Sequence, residues 1–206
     1  MTLTLSSLLD VAPVVPVVVL SDETQAVPLA RALAAGGLPI IELTLRTPAA
    51  LGAIRRIADE VPDILVGAGT VLNGQQAELA AAAGAQFLVS PGSTATLLNA
   101  MDATGLLYLP GVSTVSEMLA VAERGLTELK FFPAEAAGGA PYLASVASPL
   151  PQLRFCPTGG ITAANARRYL DLPNVGCVGG SWVTPADALA AGDWGRITRL
   201  AAEAAG

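Results

Sequence analysis

The stretch IIELTLRTPAALGAIRRIADEV, residues 40–61, joins a short apolar run directly to an amphipathic segment. The run IIELTL is brief and partly β-branched, which is typical of a buried parallel strand. After it, Thr47 is a suitable N-cap residue, and Pro48 suits the first position of a helix. The stretch therefore predicts a strand followed by a helix, the repeating unit of an α/β fold.

The same unit recurs along the chain. Apolar runs that end in Gly, Pro, Ser or Thr alternate with Ala-rich segments, with helix starts predicted at Asn73 and at Ser113 or Thr114. The runs are residues 14–20, 40–45, 64–70, 86–91, 106–112, 128–134, 154–160 and 175–182. About eight strand–helix units predict a (β/α)8 barrel of the TIM type. A doubly wound open sheet is the alternative, although such sheets more usually have about five or six strands.

No linker or low-complexity stretch divides these units, so we expect one domain over residues 1–206. The N-terminal stretch MTLTLSSLLDVAPVVPVVVL is apolar, but no basic region precedes it, and Asp10, Pro13 and Pro16 interrupt it. It predicts a short helical segment and then a buried strand, not a signal peptide or a membrane-spanning helix. We therefore expect a cytoplasmic chain without a membrane partner.

Composition limits the possible classes of protein. Of the 206 residues, 52% are hydrophobic and 14% charged, and the formal net charge is −6. Such a chain lacks the basic face that nucleic-acid binding needs. It has no histidine, which excludes a His-ligated metal and leaves carboxylate, lysine, tyrosine, cysteine or water for proton transfer. Cys156 and Cys177 lie in apolar runs and are expected to be reduced core residues.

Polar side chains occupy one face of the second run. Side chains alternate along a strand, so Glu42, Thr44 and Arg46 share a face that is expected to point into the barrel. Barrel active sites lie at the C-terminal ends of the strands, where a carboxylate and a cation fit proton transfer and anion binding. The alternative is a buried Glu42–Arg46 ion pair with a structural role, although such pairs are weak evidence for stability.

Lys130, in the run ELKFFPA, is the only lysine in the chain. It shares a face with Phe132 and Ala134, and it is enclosed if that face is interior. Enclosure disfavours a charged ammonium, and a neutral amine can attack a ketone or aldehyde to form a Schiff base. A lysine that snorkels to water or pairs with an acid is the structural alternative.

Two glycine pairs, in PTGGIT (157–162) and VGGSW (178–182), end the last two runs. Loops after the late strands of barrels often bind phosphate through backbone N–H groups, aided by a short helix, and TPADALA after GGSW fits that helix. Ordinary turns are the alternative. Thr70, Pro91 and Thr158 also follow strand ends, where a ligand contact competes with a turn or cap role.

Together the motifs IELTLRT, VGAGTVLN, VSPG, PGVSTVSE, LKFFPAE, FCPTGGI and GGSW resemble the 2-keto-3-deoxy-6-phosphogluconate (KDPG) aldolase family. Members of that family often also act as 4-hydroxy-2-oxoglutarate (KHG) aldolases. The motifs occur in order along nearly the whole chain. The resemblance implies a class I aldolase, a (β/α)8 barrel that forms a homotrimer, with pyruvate and a phosphorylated 2-keto acid as its ligands.

The resemblance also implies roles for particular residues. The Schiff-base lysine corresponds to Lys130 and the proton-transfer carboxylate to Glu42. The residues that hold the pyruvate end correspond to Arg46, Thr70 and Thr158. The pocket wall corresponds to Phe132 and Pro91. The phosphate-binding residues correspond to Gly159, Gly160, Gly180 and Ser181. Cleavage of KDPG to pyruvate and D-glyceraldehyde 3-phosphate would then need no cofactor or metal, because the iminium serves as the electron sink.

Two other functions remain open. The glycine pairs alone would suffice for a non-catalytic barrel that binds a phosphorylated ligand. A pyruvate aldolase with another aldehyde partner, such as glyoxylate, would use the same lysine and carboxylate.

Overall fold

The computed structural model describes residues 7–206. The strands are β1 Val14–Val18, β2 Ile40–Thr44, β3 Leu65–Gly69, β4 Phe87–Val89, β5 Leu107–Leu109, β6 Gly111–Val112, β7 Glu128–Phe131, β8 Arg154–Pro157 and β9 Val178–Gly180. The helices are α1 Ala26–Ala35, α2 Ala50–Glu60, α3 Gly74–Ala82, α4 Ala95–Ala103, α5 Val115–Ala122, α6 Gly139–Val146, α7 Ala166–Leu170, α8 Ala186–Ala191 and α9 Trp194–Ala205. A 3₁₀ turn, Glu23–Gln25, precedes α1.

All strand pairs are parallel, as predicted for an α/β fold. One sheet has six strands in the order β5-β4-β3-β2-β1-β9, and the other has three in the order β6-β7-β8. Pro110 separates β5 from β6, and isolated parallel bridges at Phe155↔Val175 and Thr158↔Gly179 join the β8 segment to the β9 segment. Consecutive strands from β1 to β5 are neighbours, unlike the strands around the switch point of a doubly wound sheet.

Each predicted apolar run contains a strand, and in seven of the eight runs the strand ends earlier than the run. Strand β3 stops at Gly69, β7 at Phe131 and β8 at Pro157. Thr70, Pro91, Thr158 and the Gly159–Gly160 pair therefore lie beyond the strands, whereas the second glycine pair, Gly179–Gly180, lies within β9. Parallel strands present these loops at one edge, which is where the predicted site residues are gathered.

Two of the predicted helix starts are confirmed, and one is wrong. Asn73 caps α3, and Thr114 caps α5 in a capping box with Glu117. Thr47 does not cap α2, which begins at Ala50 instead. The Thr47 hydroxyl donates to the Leu20 carbonyl, so Thr47 joins two loops and accepts no hydrogen bond from the first turn of α2.

A short helical segment was predicted at the N-terminus, and residues 1–6 of it lie outside the described residues. Residues 8–13 form a turn and bends rather than a helix. Cys156 and Cys177 are free and buried, as expected. Within residues 7–206, no helix is long and apolar enough to cross a membrane.

Candidate active site

The centre of the site is a buried ion pair between two strands that are distant in the sequence. The Lys130 Nζ donates to the Glu42 Oε1 over 3.4 Å. Lys130 is 5% exposed and Glu42 is 3% exposed. Such a pair is costly to desolvate and is weak evidence for stability, so its presence points to chemistry. The alternative Glu42–Arg46 pair is wrong, because the structure pairs Glu42 with Lys130.

The backbone on each side fixes these two side chains. Lys130 lies opposite Gly111 of β6 and Cys156 of β8. A Cβ at Gly69 would lie 2.0 Å from the Glu42 Oε1. Gly69 is therefore a site residue that the sequence reasoning missed, because a strand glycine does not reveal which carboxylate needs its space.

Phe132 connects the ion pair to an open cleft. Its ring centroid lies 5.4 Å from the Lys130 Nζ, within the range of a cation–π contact. The cleft has a volume of about 320 Å³. Seven of the predicted site residues line it: Arg46, Phe132, Thr158, Gly159, Gly160, Gly180 and Ser181.

Two physical reasons require glycine at particular positions of the cleft: a left-handed backbone and a lack of space for a Cβ. Gly159 and Gly160 have φ angles of +100° and +79°, which lie in the left-handed region. A Cβ at Gly179 would lie 2.3 Å from the Thr158 Oγ1. The glycine pairs are recognisable in the sequence, but Gly179, which also lines the cleft, is not among the predicted site residues.

Thr158 and Arg46 supply polar side chains to the cleft. The Thr158 hydroxyl is buried and donates weakly to the Cys156 carbonyl over 3.4 Å. Arg46 is exposed in the turn after β2, and among residues 7–206 it has no ion-pair partner. An unpaired guanidinium at the cleft provides a positive charge for an anion.

Thr70 and Pro91 are not among the residues that line the cleft. Thr70 directly follows Gly69 and has a φ angle of +58°. This conformation is uncommon for a β-branched residue and occurs preferentially at functional sites. A Cβ at Gly111, the neighbour of Lys130, would lie 2.3 Å from the Pro91 carbonyl carbon. Both residues are thus close to the strands of the ion pair.

No group of three or more His, Cys, Asp or Glu side chains in the described part of the chain is arranged to hold a metal ion. The chemistry that the site offers is that of an amine and a carboxylate. A neutral lysine amine adds to carbonyl carbon, and a neighbouring carboxylate can take or return a proton.

An amine beside a carboxylate, at the carboxyl ends of parallel strands and near a glycine-lined cleft, is the arrangement of an aldolase that works through a Schiff base. The fold and the site define this class of protein. A family model described as KDPG and KHG aldolase matches residues 5–200. The chain belongs to that family.

Individual relatives are similar over nearly their whole length. The chain is 56% identical to the KHG/KDPG aldolase of Escherichia coli K12 over 198 residues, which cover 96% of this chain and 93% of that one. Legionella pneumophila KDPG aldolase, whose structure has pyruvate captured as a covalent carbinolamine, has a TM-score of 0.94 and 45% identity, with 96% of each chain covered. Zymomonas mobilis KDPG aldolase with 3-phosphoglycerate has a TM-score of 0.91 and 50% identity, covering 96% of this chain and 92% of that one.

Proposed function

We propose that this protein is a class I aldolase that cleaves KDPG to pyruvate and D-glyceraldehyde 3-phosphate. The observation that carries the proposal is the buried Lys130–Glu42 pair, with its 3.4 Å contact between amine and carboxylate. The membership of the KDPG and KHG aldolase family supports the same reaction. So does the pyruvate carbinolamine of the Legionella relative, a covalent adduct of the kind that a lysine amine forms.

The reaction begins at Lys130. A proton passes from its ammonium to a base, and the neutral amine attacks the C2 carbonyl carbon of KDPG to form a carbinolamine. Loss of water gives an iminium, which is the electron sink for the next step. This cation replaces a Lewis-acid metal, so we propose that the reaction uses no metal or cofactor.

Glu42 moves the protons of the cleavage step. Its carboxylate takes the proton of the C4 hydroxyl, the C4 oxygen forms the aldehyde, and the C3–C4 bonding electrons enter the iminium. D-Glyceraldehyde 3-phosphate leaves, and an enamine remains on Lys130. Glu42 returns the proton to C3, and water then hydrolyses the iminium to release pyruvate and the free amine.

The remaining site residues hold the substrate at its two ends. Arg46, Thr70 and Thr158 bind the pyruvate carboxylate end, and Phe132 and Pro91 shape the pocket wall. Gly159, Gly160, Gly180 and Ser181 bind the phosphate, chiefly through backbone N–H groups. The left-handed glycines of the cleft and the 3-phosphoglycerate of the Zymomonas relative support a phosphate site. Holding both ends orients C2 toward the amine.

We further propose that residues 1–206 form one domain, a closed (β/α)8 barrel in which β5 and β6 count as one strand bent at Pro110. The parallel bridges between the β8 and β9 segments support closure. By analogy with its family, the protein is proposed to be a cytoplasmic homotrimer. Sedimentation velocity tests the assembly, with a mass of three chains expected.

A lactate-dehydrogenase-coupled assay tests the function. We expect pyruvate release from KDPG, and release from 4-hydroxy-2-oxoglutarate would add the second activity that the relatives' names carry. A higher kcat/KM with 4-hydroxy-2-oxoglutarate would instead favour the aldolase with another aldehyde partner. Binding of phosphorylated ligand without pyruvate from either substrate would favour the non-catalytic barrel.

A further inference from the structure

A carboxylate outside the proposed reaction lies directly against the glycine loop of the cleft, and a buried phenol hydrogen-bonds to it. Tyr169 of α7 is fully buried, and its hydroxyl donates to the Glu135 Oε1 in the loop after β7. A Cβ at Gly160 would lie 2.8 Å from the Cβ and Cγ of Glu135. The stem of Glu135 therefore fills the space beside Gly160.

The same two loops are bonded through their backbones. The Ala134 N–H donates to the Thr158 carbonyl over 2.8 Å, and the Glu135 N–H donates to the Gly159 carbonyl over 3.1 Å. On the other side of the loop, the Asn165 Nδ2 donates to the Gly160 carbonyl over 3.0 Å. The carbonyls of the loop are thus occupied as acceptors, whereas the Gly159 and Gly160 N–H groups donate to no backbone carbonyl within residues 7–206 and are available to an anion.

The Tyr169–Glu135 hydrogen bond anchors this arrangement to the core. It ties the loop after β7 to α7, which follows the glycine loop in the sequence. Burial and the bond to Glu135 raise the pKa of Tyr169 well above its usual value, so its hydroxyl remains a donor at neutral pH.

We propose that Tyr169 and Glu135 form a positioning pair that holds the Gly159–Gly160 loop ready for phosphate and sets the preference for phosphorylated over non-phosphorylated 2-keto acids. This inference rests on the proposed function for its substrates. The pair acts through the loop and touches no reacting atom, so its effect falls on phosphate affinity rather than on bond cleavage.

The test is the ratio of kcat/KM for KDPG to kcat/KM for 4-hydroxy-2-oxoglutarate, which has no phosphate. In Tyr169→Phe and Glu135→Ala we expect this ratio to fall about tenfold, mostly because the KM for KDPG rises. A tenfold fall corresponds to a loss of roughly 1.4 kcal/mol in phosphate recognition. Glu135→Gln keeps an acceptor for the Tyr169 hydroxyl and is expected to retain the wild-type ratio. An unchanged ratio in Tyr169→Phe overturns the proposal.

Tyr108→Phe is the matched control. Tyr108 is 9% exposed, and its hydroxyl donates to the Asp102 Oδ1 over 2.5 Å. The substitution therefore removes the same hydroxyl group as Tyr169→Phe, but from a hydrogen bond between α4 and β5. Its substrate ratio is expected to stay at the wild-type value even if its melting temperature falls. An equal fall of the ratio in Tyr108→Phe would show that general destabilisation, not the loop, is responsible, and would also overturn the proposal.

Calorimetric titration with inorganic phosphate separates this inference from the proposed function. We expect the Kd for phosphate to be about tenfold higher in Tyr169→Phe than in the wild type, the same factor as the expected fall in the substrate ratio. If the wild type cleaves neither substrate, the proposed function fails. The titration then still supports the pair when this difference is found and overturns it when the two Kd values agree.

Discussion

At the scale of single residues, Glu42 has a position set by what surrounds it. Lys130 contacts one of its oxygens, and Gly69 leaves the space that its carboxylate occupies. A side chain fixed in this way loses little conformational freedom on binding substrate, and it stays where the proposed proton transfer requires it.

Replacing Glu42 by Gln tests its role as the proton carrier. An amide cannot accept the C4 hydroxyl proton, so we expect kcat for KDPG cleavage to fall about 10²–10⁴-fold. Pyruvate should still be trapped on Lys130 by borohydride, at a reduced level, because the amine remains. The coupled assay and intact-mass spectrometry measure the two effects, and cleavage at the wild-type rate would show that another group carries the proton.

Replacing Gly69 by Ala tests the packing around the same carboxylate. The new Cβ needs the space of the Glu42 Oε1, at a distance of 2.0 Å, so the carboxylate must move. We expect a loss in kcat of up to roughly 10²-fold, as for other misplacements of about 1 Å. Gly195→Ala in α9 is the control, because a Cβ there has its nearest neighbour at 3.8 Å. Equal activity of the two variants would contradict this account.

The sequence predicted the two central residues because their placement follows from a local rule. Alternation fixes which side chains share a face with Glu42 on β2 and with Lys130 on β7, whichever strands are neighbours, and both side chains are buried in the structure. Gly69, Gly179 and the Tyr169–Glu135 bond depend on segments that approach each other only in the folded chain. Sequence spacing contains no signal for such contacts.

At the scale of elements, the loops beyond the strand ends carry more of the site than the strands do. Only Glu42, Lys130 and Gly180 of the predicted site lie within strands. The predicted runs were too long at their ends because Gly, Pro and Thr continue an apolar pattern after the backbone pairing stops. The error at Thr47 also falls at the end of an element, since α2 begins at Ala50, three residues further on.

The segment before β1 is held to β8 by an ion pair with a predictable pH dependence. The hydrogen bond from Arg154 lowers the pKa of Asp10 below its ordinary value. A carboxyl with a lowered folded pKa stabilises the fold above its unfolded pKa of about 4, and this contribution is lost as the pH falls through the folded pKa.

We therefore expect Asp10→Asn to lower the melting temperature at pH 7 and to have a smaller effect as the pH falls below about 4. Asp63→Asn is the control, at an exposed turn carboxylate that has no ion-pair partner among residues 7–206. Calorimetric melting of the three proteins across this pH range measures the difference. A melting-temperature loss in Asp10→Asn that is independent of pH would argue against the ion pair as its source.

At the scale of the whole molecule, the fold brings together residues that are far apart in the chain. Lys130 and Glu42 are 88 positions apart in the sequence, and the two sheets place them on facing strands. The strand–helix count and the parallel sheets were predictable, because each unit has its own local pattern. The division into a six-stranded and a three-stranded sheet was not, because it depends on two breaks in pairing between segments, at Pro110 and between β8 and β9.

The central claim is that Lys130 forms a Schiff base with a 2-keto acid, and borohydride trapping with pyruvate tests it most directly. The chain has one lysine, so apart from the N-terminal amine there is a single site for the adduct. We expect one reduced pyruvate per chain, located at Lys130 by peptide mapping, and none in Lys130→Arg, whose guanidinium is never a neutral nucleophile. No adduct, or an adduct confined to the N-terminus, would contradict the account.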